Sequence, residues 1–257
     1  MSKIISIASQ KGGVGKTTTA INLAAAIARN DFKVLLIDLD KKANAAVGLG
    51  FTREDVKKSS ANLFFEDNIE SCRYITKNKN LDIIPGSIKL NEVEKTIMCN
   101  GESIFMLHNK LENTAYDYII IDCPPSLSLL VDVALYASDS VLIPTECEFF
   151  SYDDLIAMIQ KINEIQKIKK KSKKTLVVEG ILLTKFDNRN VFSYKIAEKV
   201  REMFPEKSFK TVINRSSHLQ EAQYYGKDVI SFAYNSRGSR EYRKLALELL
   251  GLDKEKK

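Results

Sequence analysis

Residues 9–19 read SQKGGVGKTTT and lie between an apolar run, residues 4–8, and an alanine-rich run, residues 20–28. This order predicts a strand, a glycine-rich turn and a helix. Glycines let successive backbone N–H groups turn toward one anion, and a helix N-terminus adds a partial positive charge. We therefore expect a site for phosphate groups. The expected nucleotide-binding residues are Lys11, Gly12, Gly13, Val14, Gly15, Lys16, Thr17 and Thr18.

The end of this loop fits the template Gly-x-x-x-x-Gly-Lys-Ser/Thr, in which the lysine reaches the outer phosphates and the hydroxyl ligates Mg²⁺. Lys16 and Thr17 occupy those positions. The match is incomplete, because Gln10 stands at the first glycine and a second lysine, Lys11, lies inside the loop. The alternative is a glycine-rich turn that binds no ligand. The strand-to-helix context favours the phosphate site.

The run KGGVGKTTT, residues 11–19, resembles the deviant Walker A loop of the ParA and MinD group of ATPases. In that group the extra lysine, here Lys11, reaches across a dimer to the partner's nucleotide. The resemblance continues through residues 209–230 and 236–250, which are similar to ParA-type C-termini. It implies ATP and Mg²⁺ as cofactors, an ATP-dependent homodimer and non-specific binding to duplex DNA. It also implies slow ATP hydrolysis, stimulated by a ParB-type centromere-binding protein.

Two further apolar runs end in aspartates. KVLLIDL leads to Asp38 and Asp40, and YDYIIIDC ends near Asp122. Open α/β sheets place ligand chemistry at the carboxyl ends of their strands, so we expect Thr17, Asp40 and Asp122 to form a Mg²⁺ site. The resemblance assigns hydrolysis to Asp40, with Lys11 and Lys16 as the other catalytic groups. The alternative is that these aspartates only cap the turns or helices that follow.

The C-terminal third departs from the ParA pattern at two positions. The resemblance places Asn214 and Ser216 beside the purine, but Asn214 stands where a proline is usual. His218 stands where an arginine of the DNA-binding surface is usual, whereas Arg189 matches another such arginine.

A basic run follows the amphipathic helix predicted over residues 152–168. Taken alone, such a run is more typical of a solvated helix end than of a nucleic-acid contact. The run, residues 167–174, would compensate for the charge missing at His218 if it lay on the same face. The expected DNA-binding residues are therefore Arg189, Lys169, Lys170 and Lys171.

Two other functions remain open. Thr184–Asp187 resembles the guanine-recognition motif of signal-recognition-type GTPases, which would make the chain a GTP-dependent targeting factor. Lys11 and the C-terminal pattern favour ATP. A MinD-like membrane-positioning ATPase would need an amphipathic C-terminal helix, and the apolar face of residues 245–257 is too short to anchor well.

The whole chain has 257 residues, 44% hydrophobic content and a net charge of +6. Buried strands alternate with helical segments, which predicts a doubly wound, mostly parallel α/β sheet with helices on both faces, in one domain over residues 1–257. The sequence holds no apolar run of about 18 residues. We expect a cytoplasmic, nucleoid-associated protein without stable membrane association. Further strands are predicted over residues 81–85, 140–144, 176–183 and 209–213, and helices over 87–113, 192–204, 219–225 and 237–250.

Overall fold

The computed structural model describes residues 2–52, 54–65, 68–100, 104–148 and 151–252. Runs of isoleucine, leucine and valine form its strands, since such side chains suit a sheet buried on both faces. The strands are β1 Lys3–Ile7, β2 Val34–Asp38, β3 Tyr74–Ile75, β4 Leu81–Ile84, β5 Tyr118–Asp122, β6 Ser140–Glu146 and β7 Val177–Thr184.

Across the described residues, these strands form one sheet in the order β3-β4-β2-β5-β1-β6-β7. Neighbouring strands are parallel except for the antiparallel pair β3 and β4. Asp122, at the end of β5, pairs with Ile7 of β1 and with Asp38 of β2. The carboxyl ends of three adjacent strands therefore meet. The predicted doubly wound, mostly parallel sheet is confirmed.

Helices cover both faces of the sheet. Because successive strand residues point to opposite faces, Ile119 and Ile121 pack on the side of α7 (Leu129–Ala137) and α8 (Ser151–Lys171). Ile120 packs on the opposite side, with α1 (Lys16–Ala28) and α12 (Arg237–Leu249). The helices are α1 Lys16–Ala28, α2 Asn44–Gly48, α3 Ser60–Leu63, α4 Ile69–Cys72, α5 Leu90–Asn100, α6 Met106–Leu111, α7 Leu129–Ala137, α8 Ser151–Lys171, α9 Val191–Met203, α10 Ser217–Tyr224, α11 Val229–Phe232 and α12 Arg237–Leu249.

Residues 209–213, predicted as a strand, do not form one. The segment lies beside β7 and shares isolated backbone hydrogen bonds with it. The carboxylate of Glu248 accepts from the backbone N–H groups of Lys210, at 2.6 Å, and Thr211, at 3.0 Å. These two N–H groups therefore donate to a side chain of α12 and are not available for hydrogen bonds to a neighbouring strand. The prediction was right about the position of the segment and wrong about its structure.

The middle of the chain is more structured than the sequence indicated. Residues 87–113, predicted as one helical stretch, contain α5 and α6, and residues 101–103 between them lie outside the described residues. The helix α7, which the sequence analysis did not assign, follows β5 and packs beneath the sheet.

Candidate functional site

The glycine loop connects β1 to α1 at the carboxyl edge of the sheet. Gly13 and Gly15 have φ values of 80° and 89°, in the left-handed region where a side chain would be strained. Gly15 is also the N-cap of α1 and offers no side chain to cap it. The first N–H groups of α1 therefore keep their capacity to bind an anion.

Lys16 is buried inside this loop. Its ammonium donates to the backbone carbonyls of Ser9, at 3.1 Å, and of Lys11, at 2.8 Å. Burial lowers the pKa of Lys16, while the nearby carboxylates of Asp122 and Asp40 oppose that shift. The Lys16 ammonium therefore lies inside the loop, near the carboxylates of Asp40 and Asp122.

Asp122 is fully buried, and neither of its carboxylate oxygens has a hydrogen-bond partner among the described residues. Burial raises its pKa well above the ordinary value, and repulsion from Asp38 adds to the rise, whereas the Thr17 hydroxyl lowers it. A buried carboxylate without a partner is costly unless a cation accompanies it. The donor set of Thr17 and Asp122 therefore fits Mg²⁺, which prefers oxygen ligands.

This pair would not hold a metal ion unaided. Among the described residues, no group of three or more His, Cys, Asp or Glu side chains is arranged to bind one. Mg²⁺ commonly keeps several waters and binds through one or two protein groups together with substrate phosphates. The arrangement therefore suits a metal that arrives with a phosphate compound.

The two aspartates after β2 have different surroundings. Asp38 is fully buried and accepts from the backbone N–H groups of Asp40, at 2.8 Å, and Ala45, at 3.1 Å. Burial raises its pKa to about 7. Asp40 accepts from Lys42 N–H through Oδ1, at 3.0 Å, and lines the cavity beside the loop. Asp38 is therefore a capping residue, and Asp40 is the carboxylate available to a ligand.

Gly86, which follows β4, contacts both aspartates from a distant part of the sequence. A Cβ atom at this position would lie 2.1 Å from the backbone carbonyl oxygen of Asp40 and 3.1 Å from the carboxylate of Asp38. Residues 85–87 therefore pack directly against the turn that carries Asp40. The sequence alone predicts a strand over residues 81–85 and a helix over 87–113, and nothing in their composition points to the glycine loop.

Two cavities flank the glycine loop. One, of about 530 Å³, is lined by Lys16, Thr17 and Asp40. The other, of about 470 Å³, is lined by Thr18, Asn214, Ser216 and their neighbours. Gly13, Gly15 and Thr18 border both cavities. Volumes of this size accept a small molecule, and the loop between them suits one whose phosphate part lies beside the glycines.

Comparisons with known proteins agree with this geometry. The family described as an AAA domain matches residues 2–177. The sporulation initiation inhibitor protein Soj of Bacillus subtilis is 41% identical over 97% of this chain and 98% of its own length. The chromosome partitioning protein ParA of Myxococcus xanthus is 38% identical over 98% of this chain and 89% of its own. The chain belongs to the ParA/Soj family.

A solved structure resembles the fold as a whole. Cobyrinic acid a,c-diamide synthase from Mycobacterium smegmatis, with bound ADP and magnesium, superposes with a TM-score of 0.83 at 26% identity. The likeness covers 97% of this chain and 94% of that chain. The ParA/Soj fold of this chain is thus shared with a protein whose structure holds a nucleotide and a metal.

Lys11, the extra lysine typical of the ParA/Soj family, forms ion pairs with two glutamates of its own chain. Its ammonium is 3.1 Å from the carboxylate of Glu146 and 3.0 Å from that of Glu148. The hydrogen bond to Glu148 raises the pKa of Lys11, against a smaller opposing effect of burial. Lys185 also pairs with Glu146. Neither glutamate was predicted from the sequence, because no local pattern links the loop to the end of β6, 135 residues away.

Asp187, on which the GTP alternative depended, lies outside the cavity that Asn214 and Ser216 line. Its carboxylate accepts two hydrogen bonds from the Arg189 guanidinium, both at 3.1 Å. These bonds, with one from the Arg189 backbone, lower its pKa. The residue is therefore engaged by its own loop and is not placed to read a base in that cavity.

Lys169 is wrong as a DNA contact. Its side chain is buried, its ammonium donates to the carbonyl of Ser138, and the ammonium lies 5.7 Å from the centre of the Tyr136 ring. The helical phase of α8 turns this lysine toward the sheet, whereas Lys170 and Lys171 are exposed. A sequence run of like charges cannot show which member points inward.

Arg189 is exposed and follows the end of β7 opposite to the end that these lysines precede. Lys170 and Lys171 precede β7, and Arg189 follows it. With 8 residues, β7 spans about 26 Å. Lys170 and Lys171 are therefore near one end of β7 and Arg189 is near the other, and the compensation for His218 stays a prediction.

The closing helix α12 packs into the core. Its apolar residues Tyr242, Leu245 and Ala246 are buried against α1 in the cluster on that face of the sheet. An apolar face used in this way is not available to a bilayer. Residues 253–257, which formed part of the expected tail, lie outside the described residues. None of the helices in the described ranges is both long and apolar enough to cross a membrane.

Proposed function

We propose that this chain, acting as one domain over residues 1–257, is a ParA-type DNA-segregation ATPase that binds ATP with Mg²⁺ and hydrolyses it slowly. The observation that carries the proposal is the meeting of Lys16, Asp40 and Asp122 around a glycine loop between two cavities. The kinship with proteins named for chromosome partitioning supports the biological role.

The phosphate side of the site supports binding and hydrolysis. The Lys16 ammonium, which donates to two loop carbonyls, would bind an outer phosphate of the nucleotide. Thr17 and Asp122 would hold Mg²⁺, which supplies charge neutralisation on the phosphates. Asp40 retains one carboxylate oxygen without a hydrogen bond from the described residues and would orient the attacking water. The loop N–H groups would bind the remaining phosphate oxygens.

The position of the Lys11 side chain supports the proposed dimerisation. This side chain is not needed to form the loop, and its ammonium projects to Glu146 and Glu148 on the outer side of the site. In the proposed dimer it transfers to the partner's nucleotide. ATP would then bring two DNA-binding surfaces together, which strengthens binding without any contact between nucleotide and DNA.

DNA binding would depend on charge. A protein that neutralises phosphates with lysine and arginine binds with little sequence preference and weakens steeply as salt rises. The net charge of +6 and the exposed Arg189 support such binding. The proposal places the protein in the cytoplasm on the nucleoid, with a ParB-type centromere-binding protein as the stimulator of hydrolysis.

Sedimentation velocity tests the proposal. We expect a monomer without nucleotide or with ADP, a dimer with ATP and Mg²⁺, and co-sedimentation of that dimer with duplex DNA at low salt. Calorimetry should show that Lys16→Ala loses ATP binding, whereas Lys95→Ala, an exposed lysine of α5, keeps it. Unchanged ATP affinity in Lys16→Ala would refute the assignment of the loop.

A second outcome decides between partitioning and membrane positioning. If the ATP-bound dimer binds duplex DNA no better than the nucleotide-free monomer, the segregation role loses its mechanism. Flotation with anionic phospholipid vesicles would then have to show ATP-dependent binding for the MinD-like alternative to stand. The packing of α12 into the core argues against that result.

A further inference from the structure

The two glutamates that hold the Lys11 ammonium differ in burial. Glu146 is the last residue of β6, and its side chain is 5% exposed, whereas that of Glu148 is half-exposed. Lys11 lies 3.1 Å from Oε2 of Glu146 and 3.0 Å from Oε2 of Glu148. The proposed transfer of Lys11 to a partner's nucleotide therefore removes a cation from two carboxylates at once, of which one is buried.

Burial makes these two losses unequal. An exposed carboxylate that loses its partner is hydrated by water, so the ion pair contributes little. Breaking a buried ion pair leaves a charge without compensation and is strongly unfavourable. The cost of releasing Lys11 therefore depends mainly on Glu146, and any other cation on Glu146 lowers that cost.

A second lysine occupies the other oxygen of Glu146. Lys185 pairs with Oε1, whereas Lys11 pairs with Oε2, so the two ammonium groups do not compete for one atom. Glu148 has a similar arrangement, since its Oε1 lies 3.7 Å from the guanidinium of Arg215. Each glutamate thus keeps one cation when Lys11 leaves.

The position of Lys185 does not depend on Lys11. Glu146 and Thr184 are paired in the register of β6 and β7, and Lys185 follows Thr184 directly. The Thr184 hydroxyl donates to the backbone carbonyl of Val14 in the glycine loop at 2.8 Å. The backbone that carries Lys185 is therefore bound to β6 and to the loop by contacts that do not include Lys11.

We propose that Lys185 is a positioning residue for the ATP-dependent dimer, because it stays on Glu146 as the counter-ion when Lys11 leaves. In the free monomer the buried carboxylate has both lysines, and in the dimer it keeps Lys185. Without Lys185, the same step would remove the remaining cation, and Lys11 would stay on Glu146. The inference rests on the proposed dimerisation and gives a part in it to a lysine outside the glycine loop.

Sedimentation velocity of Lys185→Met on the full chain tests the proposal, with Mg²⁺ and enough ATP to saturate the variant by calorimetry. Methionine keeps most of the side-chain length and removes the charge. We expect the dimer dissociation constant to rise by about tenfold or more, because a buried carboxylate that loses a charged hydrogen-bond partner is destabilised by at least that factor. Lys185→Arg, which keeps the cation, should restore the wild-type value.

Glu146→Gln shows whether the effect acts through Glu146. Glutamine carries no charge that could be left uncompensated, so Lys11 should leave it without that cost. Lys185→Met should then no longer weaken the dimer in the Glu146→Gln background, which is the result that a double-mutant cycle measures. A merely structural role of Lys185 would give the same loss with either residue at position 146 and would refute the proposal.

Lys3→Met is the matched control. The Lys3 side chain is 39% exposed, against 45% for Lys185, and it also pairs with a strand glutamate, Glu179 of β7, at 2.7 Å. Lys3 begins β1, at the end of that strand away from the glycine loop. We expect Lys3→Met to dimerise as the wild type does. An equal weakening there would reduce the effect of Lys185→Met to a change in net charge and would overturn the proposal.

The remaining outcomes separate the two levels of inference. If the wild-type chain stays monomeric with ATP, the proposed dimerisation and this proposal both fail. If it dimerises and Lys185→Met dimerises equally well, only this proposal fails. Should Lys185→Met not fold by circular dichroism, Lys185→Gln removes the charge and keeps a polar end, and a wild-type dissociation constant in that variant is equally a refutation.

Discussion

The buried ammonium of Lys169 gives the chain a measurable pH dependence. This side chain is 2% exposed, donates to the Ser138 carbonyl and lies over the Tyr136 ring. Burial lowers the pKa of Lys169 from the ordinary 10.5 to about 8, with Asp139 opposing the shift and Lys174 adding to it. The favourable contacts of the charged form therefore do not offset its loss of hydration.

The sign and size of the effect follow from these two pKa values. Since the folded pKa is lower than the unfolded one, the folded state is penalised wherever the lysine is charged in both states, and stability rises as pH increases from about 8 toward 10.5. Each pKa unit is worth about 1.4 kcal/mol, so the full penalty is about 3 kcal/mol at low pH. Between pH 7 and 9, about 1 kcal/mol of it should be relieved.

Urea unfolding of the wild type and Lys169→Met at pH 7, 8 and 9 measures this relief. Methionine keeps the apolar stem and removes the titration, so the free-energy difference between the two proteins should shift by about 1 kcal/mol in favour of the wild type toward pH 9. Lys170→Met, at the exposed neighbour, should show no such shift. A wild-type minus Lys169→Met difference that is constant across this range would refute the reasoning.

Three further substitutions test the proposed site. Lys11→Ala should bind ATP by calorimetry yet stay monomeric in sedimentation, since only the backbone carbonyl of Lys11 takes part in the hydrogen bonds of the loop and the substitution keeps it; an ATP-dependent dimer would contradict this. Asp40→Ala should bind ATP and dimerise but lose hydrolysis by at least tenfold in a phosphate-release assay; a wild-type rate would remove Asp40 from the mechanism. Arg189→Ala should weaken DNA binding equally for all sequences in a salt titration, whereas Lys170→Ala, near the opposite end of β7, should have a smaller effect.

Much of the fold was readable from the sequence because its strands are short apolar runs that end in recognisable turns. Residues 116–123 predicted β5 to within two residues at each end, and the loop with α1 followed from glycine spacing. Residues 209–213 have the same apolar character, yet they form no strand. The cause is Glu248, which captures two of their N–H groups from a helix 37 residues further on.

The site was predictable where a residue's role depends on neighbours in sequence. Lys16 and Thr17 begin α1 and line the cavity beside the glycine loop, because the template fixes their position relative to the glycines. The pairing of Lys11 with Glu146 and the burial of Lys169 depend on which strands are adjacent and on helical phase. Neither property is encoded within one stretch of chain.

The close approach of Gly86 to Asp40 has a consequence for how this sequence can vary. A methyl group at residue 86 would overlap the Asp40 carbonyl, so selection on the turn that carries Asp40 also acts on the exit of β4, 46 positions away. In a library of random substitutions, residue 86 should tolerate change as poorly as the glycines of the loop. Its neighbour Ile88, which is 65% exposed, should drift freely. A map of tolerated substitutions would thus identify residue 86 as a neighbour of the Asp40 turn without any structure.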